Sequence, residues 1–342
     1  MTATRFSTRL VRWQKAQGRH DLPWQATREP YSVWLSEIML QQTQVVTVKD
    51  YFQRFMQRFP TVGDLAQASE DEVLALWSGL GYYSRARNLH RAAQQVMREH
   101  GGRFPTTASA LETLPGIGPS TAAAVASICF GERVAILDGN VKRVLTRFLG
   151  DDGDLALQRN AKALWQRAQA LLPTREADMP TYTQAVMDLG AMVCTLKQPR
   201  CAQCPVQDGC VAHAQGQPEA YPVKTRKLKR RAQSWWLLFA RTPEGDILLE
   251  QRAERGVWAK LYAVPMFDSF EALAQAVPAS LRQQLVAADA FKHVLTHLDL
   301  HLHPVRLTAS RRLTWPRGEW LPQQEALTRG LPAPIRKWLA SD

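Results

Sequence analysis

The chain has 342 residues, 45% of them hydrophobic and 22% charged, with a formal net charge of +12. That length allows a sizeable core and two domains, and the surplus of cations suits a polyanionic partner. No uncharged apolar run approaches a membrane span, the N-terminus lacks a signal-peptide core, and no basic anchor helix or lipidation motif is present. A cytoplasmic protein that binds nucleic acid rather than membrane is therefore expected.

A first helix is predicted to end near Gly18, before Leu22-Pro23-Trp24. Pro30 to Val48 follows, and Glu37 is its one charge. Pro30 suits a first helical turn, and Val33, Trp34, Leu40 and Gln41 share the face of Glu37 by their spacing. A carboxylate among Val, Trp and Leu is poorly solvated, so its pKa should rise until it holds a proton near neutral pH. The plainer alternative is a glutamate facing water. Gln41, Gln42, Thr43 and Gln44 are neutral and polar, suited to base edges or to the gap left by a displaced base.

Helices with short loops are expected from Tyr51 to His100, broken at Gly79-Leu80-Gly81-Tyr82-Tyr83. Two glycines beside two tyrosines predict a tight turn exposing aromatic rings that can wedge between base pairs, with Arg85 and Arg87 for phosphates. In LETLPGIGPSTAAAVASICF, a helix runs into Leu114, Pro115 to Gly118 forms a hairpin, and Pro119 opens an Ala-rich helix. Gly116 and Gly118 permit positive φ, so backbone N–H groups can converge on a phosphate. This resembles a helix-hairpin-helix element.

Asp138 ends a short apolar run before Gly139 and Asn140. It could simply cap the next helix. Lys142, Arg143 and Arg147 nearby should lower its pKa and keep it ionised. Glu37 holding a proton and Asp138 losing one is the division that glycoside cleavage needs. Sequence spacing does not place the two together.

Cys194, Cys201, Cys204 and Cys210 form C-x6-C-x2-C-x5-C. In a cytosolic protein this reads as a metal site, for zinc or an iron–sulfur cluster. A single internal tight pair tilts the reading towards [4Fe-4S]. Lys197 and Arg200 would make the loop cationic, and Cys129 reads as a small buried apolar residue.

Residues 215–233 read as a linker, with Lys224, Arg226, Lys227, Lys229, Arg230 and Arg231 giving six basic residues in eight positions, expected to lie along DNA. Strands at Ser234 to Arg241 and Asp246 to Arg252 flank a Thr242-Pro243-Glu244-Gly245 hairpin. Helical stretches from Glu271 to Ala276 and Ala279 to Val286, a β-rich run from Ala288 to Leu307 and a helix from Pro334 to Leu339 complete an α+β domain. Its pointed segment is Phe291 to His297, where histidines and a threonine flank an exposed leucine.

Glu37 before LQQT, GYYSRARN, LPGIGPST, LDGNVKRV and the four cysteines occur in one order. Together they resemble the adenine DNA glycosylases of the MutY family, in the helix-hairpin-helix glycosylase superfamily. The resemblance implies a mainly α fold of two helical subdomains over residues 1–214, with the cluster loop at 194–210. A Nudix-like α+β lesion-recognition domain follows at 234–342. It also implies a monomer that acts on duplex DNA carrying adenine opposite 8-oxoguanine or guanine and holds a [4Fe-4S] cluster on the four cysteines. On this resemblance Glu37 is the general acid at adenine N7, Asp138 stabilises the sugar cation, and Asn140 is a polar group beside it. Gln42 and Tyr82 enter the base stack. The lesion-sensing loop, often Phe-Ser-His in the family, reads Leu295-Thr296-His297 here. Ser120 stands where bifunctional relatives carry a nucleophilic lysine, so a monofunctional enzyme is implied. No Nudix hydrolase box follows Ile247, so the second domain should bind and not hydrolyse. Two other classes compete: a non-catalytic DNA-binding module, against which the acid pair argues, and a nucleotide-pool hydrolase, against which the missing box argues.

Overall fold

A computed structural model describes residues 3–225 and 229–341. Arg226 and Lys227 of the basic run lie outside the described residues. The elements in chain order begin with α1 (Ala3–Gln17), α2 (Pro30–Leu40), α3 (Val45–Arg58), α4 (Val62–Gln67), α5 (Glu70–Trp77) and α6 (Ser84–His100). Next come α7 (Ala108–Leu111), α8 (Pro119–Phe130), α9 (Gly139–Leu149), α10 (Gln158–Ala170), α11 (Met179–Met192) and α12 (Val211–Ala214). The strands are β1 (Arg231–Arg241), β2 (Asp246–Gln251), β3 (Tyr262–Ala263), β4 (Met266–Phe267), β5 (Val286–Ala287), β6 (Phe291–Val294), β7 (Leu298–Thr308) and β8 (Gly318–Pro322). Helix α13 (Phe270–Ala276) lies among them, and α14 (Gln323–Ala326) and α15 (Ala333–Ser341) follow.

Two compact units result. One holds residues 1–67 and 88–227, the other 68–87 and 228–342. In the first, α1, α8, α9 and α11 enclose a core of Phe6, Leu10, Ala124, Val141, Tyr182 and Leu189. The Ala-rich sequence of α8 has a packing reason: Ala122 to Ala126 are all buried, and Ser127 hydrogen-bonds Thr183 at 2.6 Å. Gly190 serves the same end. A Cβ there would lie 2.7 Å from the Asn140 Cβ, so glycine lets α11 close on the start of α9.

Of the two hairpin glycines only Gly116 uses left-handed backbone, at φ +77, and a Cβ would meet the Asn88 side chain at 2.6 Å. Gly118 differs from expectation: at φ −92 and ψ 174 it is extended and serves as N-cap of α8. The preceding helix also stops at Leu111, short of Leu114.

The second unit is a mixed sheet in the order β3-β2-β1-β7-β5, with β4 on β1, β6 on β7 and β8 on β2. Strands β1 and β7 run parallel from Arg231 opposite Leu298 to Arg241 opposite Thr308. β1 thus begins three residues before the predicted Ser234. Residues 279–284 form a 3-10 turn, and β5 takes up Val286, which the sequence had placed in a helix. Leu238, Leu248, Leu273, Val305 and Leu307 are core. The segment 68–87 is tied into this unit: Ser78 and Tyr83 donate to the Leu331 carbonyl at 2.6 and 3.1 Å, and Lys260 pairs with Glu70 at 3.1 Å.

Candidate active site

Helix α2 starts at Pro30 under an N-cap from Glu29, whose carboxylate accepts from the Tyr31 and Ser32 amides at 2.9 and 2.7 Å. Every residue from Tyr31 to Met39 is buried except Glu37, which is half-buried. Glu37 lines a cavity of about 180 Å³ together with Arg19, Trp24, Gln25, Val33 and Gln184. Burial first, and the charge of Asp138 second, push its carboxyl up to about 7. The direction of that shift is the one expected from the sequence.

That Asp138 acts on Glu37 means that the fold brings the two acids within electrostatic reach. Asp138 is the N-cap of α9, accepting from the Val141 amide at 2.7 Å. Capping and proximity to Glu37 therefore coexist. The expected lowering of its pKa is overturned: burial raises it and outweighs the Val141 and Asn140 amides and the charges of Arg143 and Lys142. Both acids are pushed the same way.

Asn140 is fixed from the side: its Oδ1 accepts from Arg143 at 2.9 Å, and Arg143 also donates to the carbonyls of Gly190 at 2.7 Å and Cys194 at 2.8 Å. Ser120 lies half-buried in the first turn of α8. Gln41, the C-cap of α2, donates to Thr121 at 3.3 Å. Gln42 is exposed with φ +57, a left-handed conformation unusual outside glycine.

Two residues here escaped the sequence reading. Asp188 is fully buried on α11, where Arg19 donates to it from its backbone amide and its guanidinium and Gln184 donates at 3.0 Å. The signal that could have found it is the one used for Glu37, a lone charge in an apolar helix. Gln25, held in a 3-10 turn beside buried Trp24, has both amide atoms covered and without a partner among the described residues.

The four cysteines line one apolar void with Val144, Leu189 and Val193. Burial above all, opposed by the Val206 amide and aided by the other three sulfurs, pushes the Cys204 thiol up to about 12. Among the described residues no three His, Cys, Asp or Glu side chains converge closely enough to share one metal ion. Arg147, buried to 1% exposure, ties the loop down: it donates to the carbonyls of Thr195 at 2.7 Å, Leu196 at 3.0 Å and Tyr221 at 3.2 Å, and to the Cys194 Sγ at 3.4 Å. Cys129 is half-buried, and burial pushes its thiol up to about 12, as fits a neutral packing residue.

In the second unit Tyr82 has φ +49 and is 41% exposed, whereas Tyr83 is buried; the turn shows one ring, not two. Leu295, Thr296 and His297 form the turn between β6 and β7, with Leu295 half-buried and the other two exposed. The Tyr82 hydroxyl meets the Thr296 hydroxyl at 2.5 Å.

Among the described residues no helix is long and apolar enough to cross a membrane. The family model of HhH-GPD superfamily base excision DNA repair proteins matches residues 35–170, and a NUDIX domain model matches 236–341. An adenine DNA glycosylase of Buchnera aphidicola (subsp. Schizaphis graminum) is 33% identical over 347 residues, covering 99% of each chain. That of Rattus norvegicus is 47% identical over 232 residues, covering 64% of this chain and 44% of its own. Among solved structures, a thermostable thymine-DNA glycosylase superposes with TM-score 0.56 at 29% identity, covering 62% of this chain and 97% of its own. An endonuclease III–DNA complex shares the fold at TM-score 0.52 and 20% identity, covering 63% and 98%. A helical glycosylase domain joined to a Nudix-like sheet domain, with relatives matched end to end, places this chain in the adenine DNA glycosylase family of base excision repair enzymes.

Proposed function

We propose that the protein excises adenine from duplex DNA in which it stands opposite 8-oxoguanine or guanine. The observation that carries this is Glu37, a carboxyl pushed to about 7 in a base-sized cavity within reach of Asp138. The adenine leaves the stack for that cavity. Glu37 donates its proton to N7, and the C1′–N9 bond breaks with its electron pair leaving on the purine. The oxocarbenium-like sugar is stabilised by the Asp138 carboxylate and then adds water at C1′, whose proton goes to the Glu37 carboxylate, leaving an abasic site. The Val141 and Asn140 backbone amides hold that anion in place.

The backbone at Gly116 and the N-terminus of α8, from Gly118, suit a phosphate, because first-turn N–H groups lack intrahelical partners. Gln42 and Tyr82, both exposed or partly exposed and both left-handed, suit insertion into the stack. Leu295, Thr296 and His297 serve lesion reading. Cys194, Cys201, Cys204 and Cys210 all line one void, as the ligands of a [4Fe-4S] cluster would. Bound there, such a cluster supplies iron–thiolate crosslinks that order the loop.

The direct test is incubation with a duplex containing one 8-oxoguanine:adenine pair, followed by alkali. Strand scission at the adenine is expected, and an intact strand sinks the reading. Because Ser120 carries no amine, borohydride should trap no adduct at the efficiency of a true lyase; efficient trapping would remove the monofunctional assignment.

The Tyr82–Thr296 contact predicts a shared effect. Tyr82→Ala should weaken binding to the mispaired duplex roughly tenfold or more through loss of stacking. Tyr82→Phe and Thr296→Val should each cost less and, combined, no more than either alone, since they break one bond. Additive losses in an anisotropy titration would show that the hydroxyls act separately.

A further inference from the structure

A groove in the first unit shares no lining residue with the Glu37 cavity. It has a volume of about 610 Å³ and is lined by Pro119 and Leu137, by Lys142 on α9, and by Arg159, Lys162 and Trp165 on α10. Three features set it apart from an ordinary solvated face.

First, its charge is of one sign. Three cations line it and no acid does. Second, Arg159 and Lys162 have no ion pair among the described residues, whereas the charge of Lys142 acts on Asp138. Arg167, further along the same helix, is paired with Asp151 at 2.9 Å. Third, the cations are held in register. Arg159 and Lys162 lie one turn apart on the face of α10 opposite Leu164 and Ala168, which anchor it in the core, and Trp165 lies between the two faces. Trp165 packs against that core and forms a firm wall to the groove.

The groove is continuous with the helix-hairpin-helix element, because Pro119 is both the first residue of α8 and part of the lining. A phosphate seated at the start of α8 therefore has its neighbours along the strand facing Lys142 and then α10. We infer that α10 is a second backbone-binding element, in which Arg159 and Lys162 take successive phosphates of the duplex arm beyond the hairpin. This rests on the DNA reading above and extends its footprint. Such contacts position the duplex and carry no sequence information.

The test is the salt dependence of binding to a duplex bearing a non-cleavable adenine analogue opposite 8-oxoguanine, and to a fully paired duplex. Each phosphate contact contributes about −0.9 to the slope of log K against log salt. Arg159→Gln combined with Lys162→Gln should flatten the slope by about 2, equally for both duplexes, and leave the single-turnover excision rate at saturating enzyme unchanged. Both side chains are exposed, so folding is not at stake. Arg167→Gln, which removes one charge from the same helix outside the groove, should leave the slope unaltered. An unchanged slope in the double variant, a loss confined to the mispaired duplex, or an equal effect per charge from Arg167→Gln would overturn the inference. Excision by the unaltered protein in the alkali assay is read separately, so failure of the groove and failure of the glycosylase reading give different results.

Discussion

Replacing Glu37 with glutamine should lower single-turnover adenine excision by roughly 10²- to 10⁴-fold, the range general acid catalysis contributes, and leave duplex affinity within a few-fold. The substitution keeps the shape of the side chain on a helix whose neighbours are all buried, so the cavity should persist. What is lost is a transferable proton. The unaltered enzyme should show the same chemistry as a pH profile. With the carboxyl at about 7, the rate should fall as pH rises through that value, approaching tenfold per unit beyond it. On the acid side the rate should fall as Asp138 takes up a proton. Because its own pKa is raised, that limb should lie above the ordinary aspartate range. The two acids interact, so the limbs belong to the pair.

Stability carries an independent sign. Glu37 has a folded pKa above its unfolded value, so its contribution is fully present below the unfolded value and is lost as pH rises through about 7. Glu37→Gln abolishes that loss. The variant should therefore melt higher than the unaltered protein at pH 8 and gain less at pH 5. A profile flat from pH 6 to 9 in the unaltered enzyme, or excision by the glutamine variant at full rate, would end the assignment of Glu37.

The second large effect is expected at the cysteines. Cys204→Ser should abolish iron binding, expose residues 194–210 to protease and reduce duplex affinity by an order of magnitude or more. The reason lies in how little else holds the loop. Its own secondary structure is two 3-10 turns of three residues each. Its anchors include the Arg147 and Arg143 hydrogen bonds, the buried Val206 and an exposed Arg9–Asp208 pair, and surface pairs contribute little. Crosslinking by metal would supply most of the loop's folding energy. Iron analysis, visible absorbance and limited proteolysis read this out without reference to activity. A serine variant with full iron content and an ordered loop would refute the ligand assignment.

Much of this was legible from local signals. Pro30 and Pro119 at helix starts, Gly116 in the hairpin, the lone charge of Glu37 in an apolar helix and the spacing of four cysteines are all properties of a few consecutive residues. They were enough to indicate the helix-hairpin-helix domain, the sheet domain and the main candidate residues. Asp188 carries the same lone-charge signal and went unread, and its role in holding Arg19 and Gln184 was not legible, since Arg19 lies on a distant part of the chain.

The sequence alone determined which side chains had the right chemistry, because caps, turns and helix faces depend on neighbours a few residues apart. Tertiary structure decided three further matters. It brought Asp138 to Glu37, grouped residues 68–87 with the sheet domain so that Tyr82 meets Thr296, and reversed the expected shift at Asp138. That reversal has a simple cause. Basic neighbours can be counted along a sequence, but the desolvation that outweighs them depends on how many distant residues close over the carboxyl, and only the folded chain sets that.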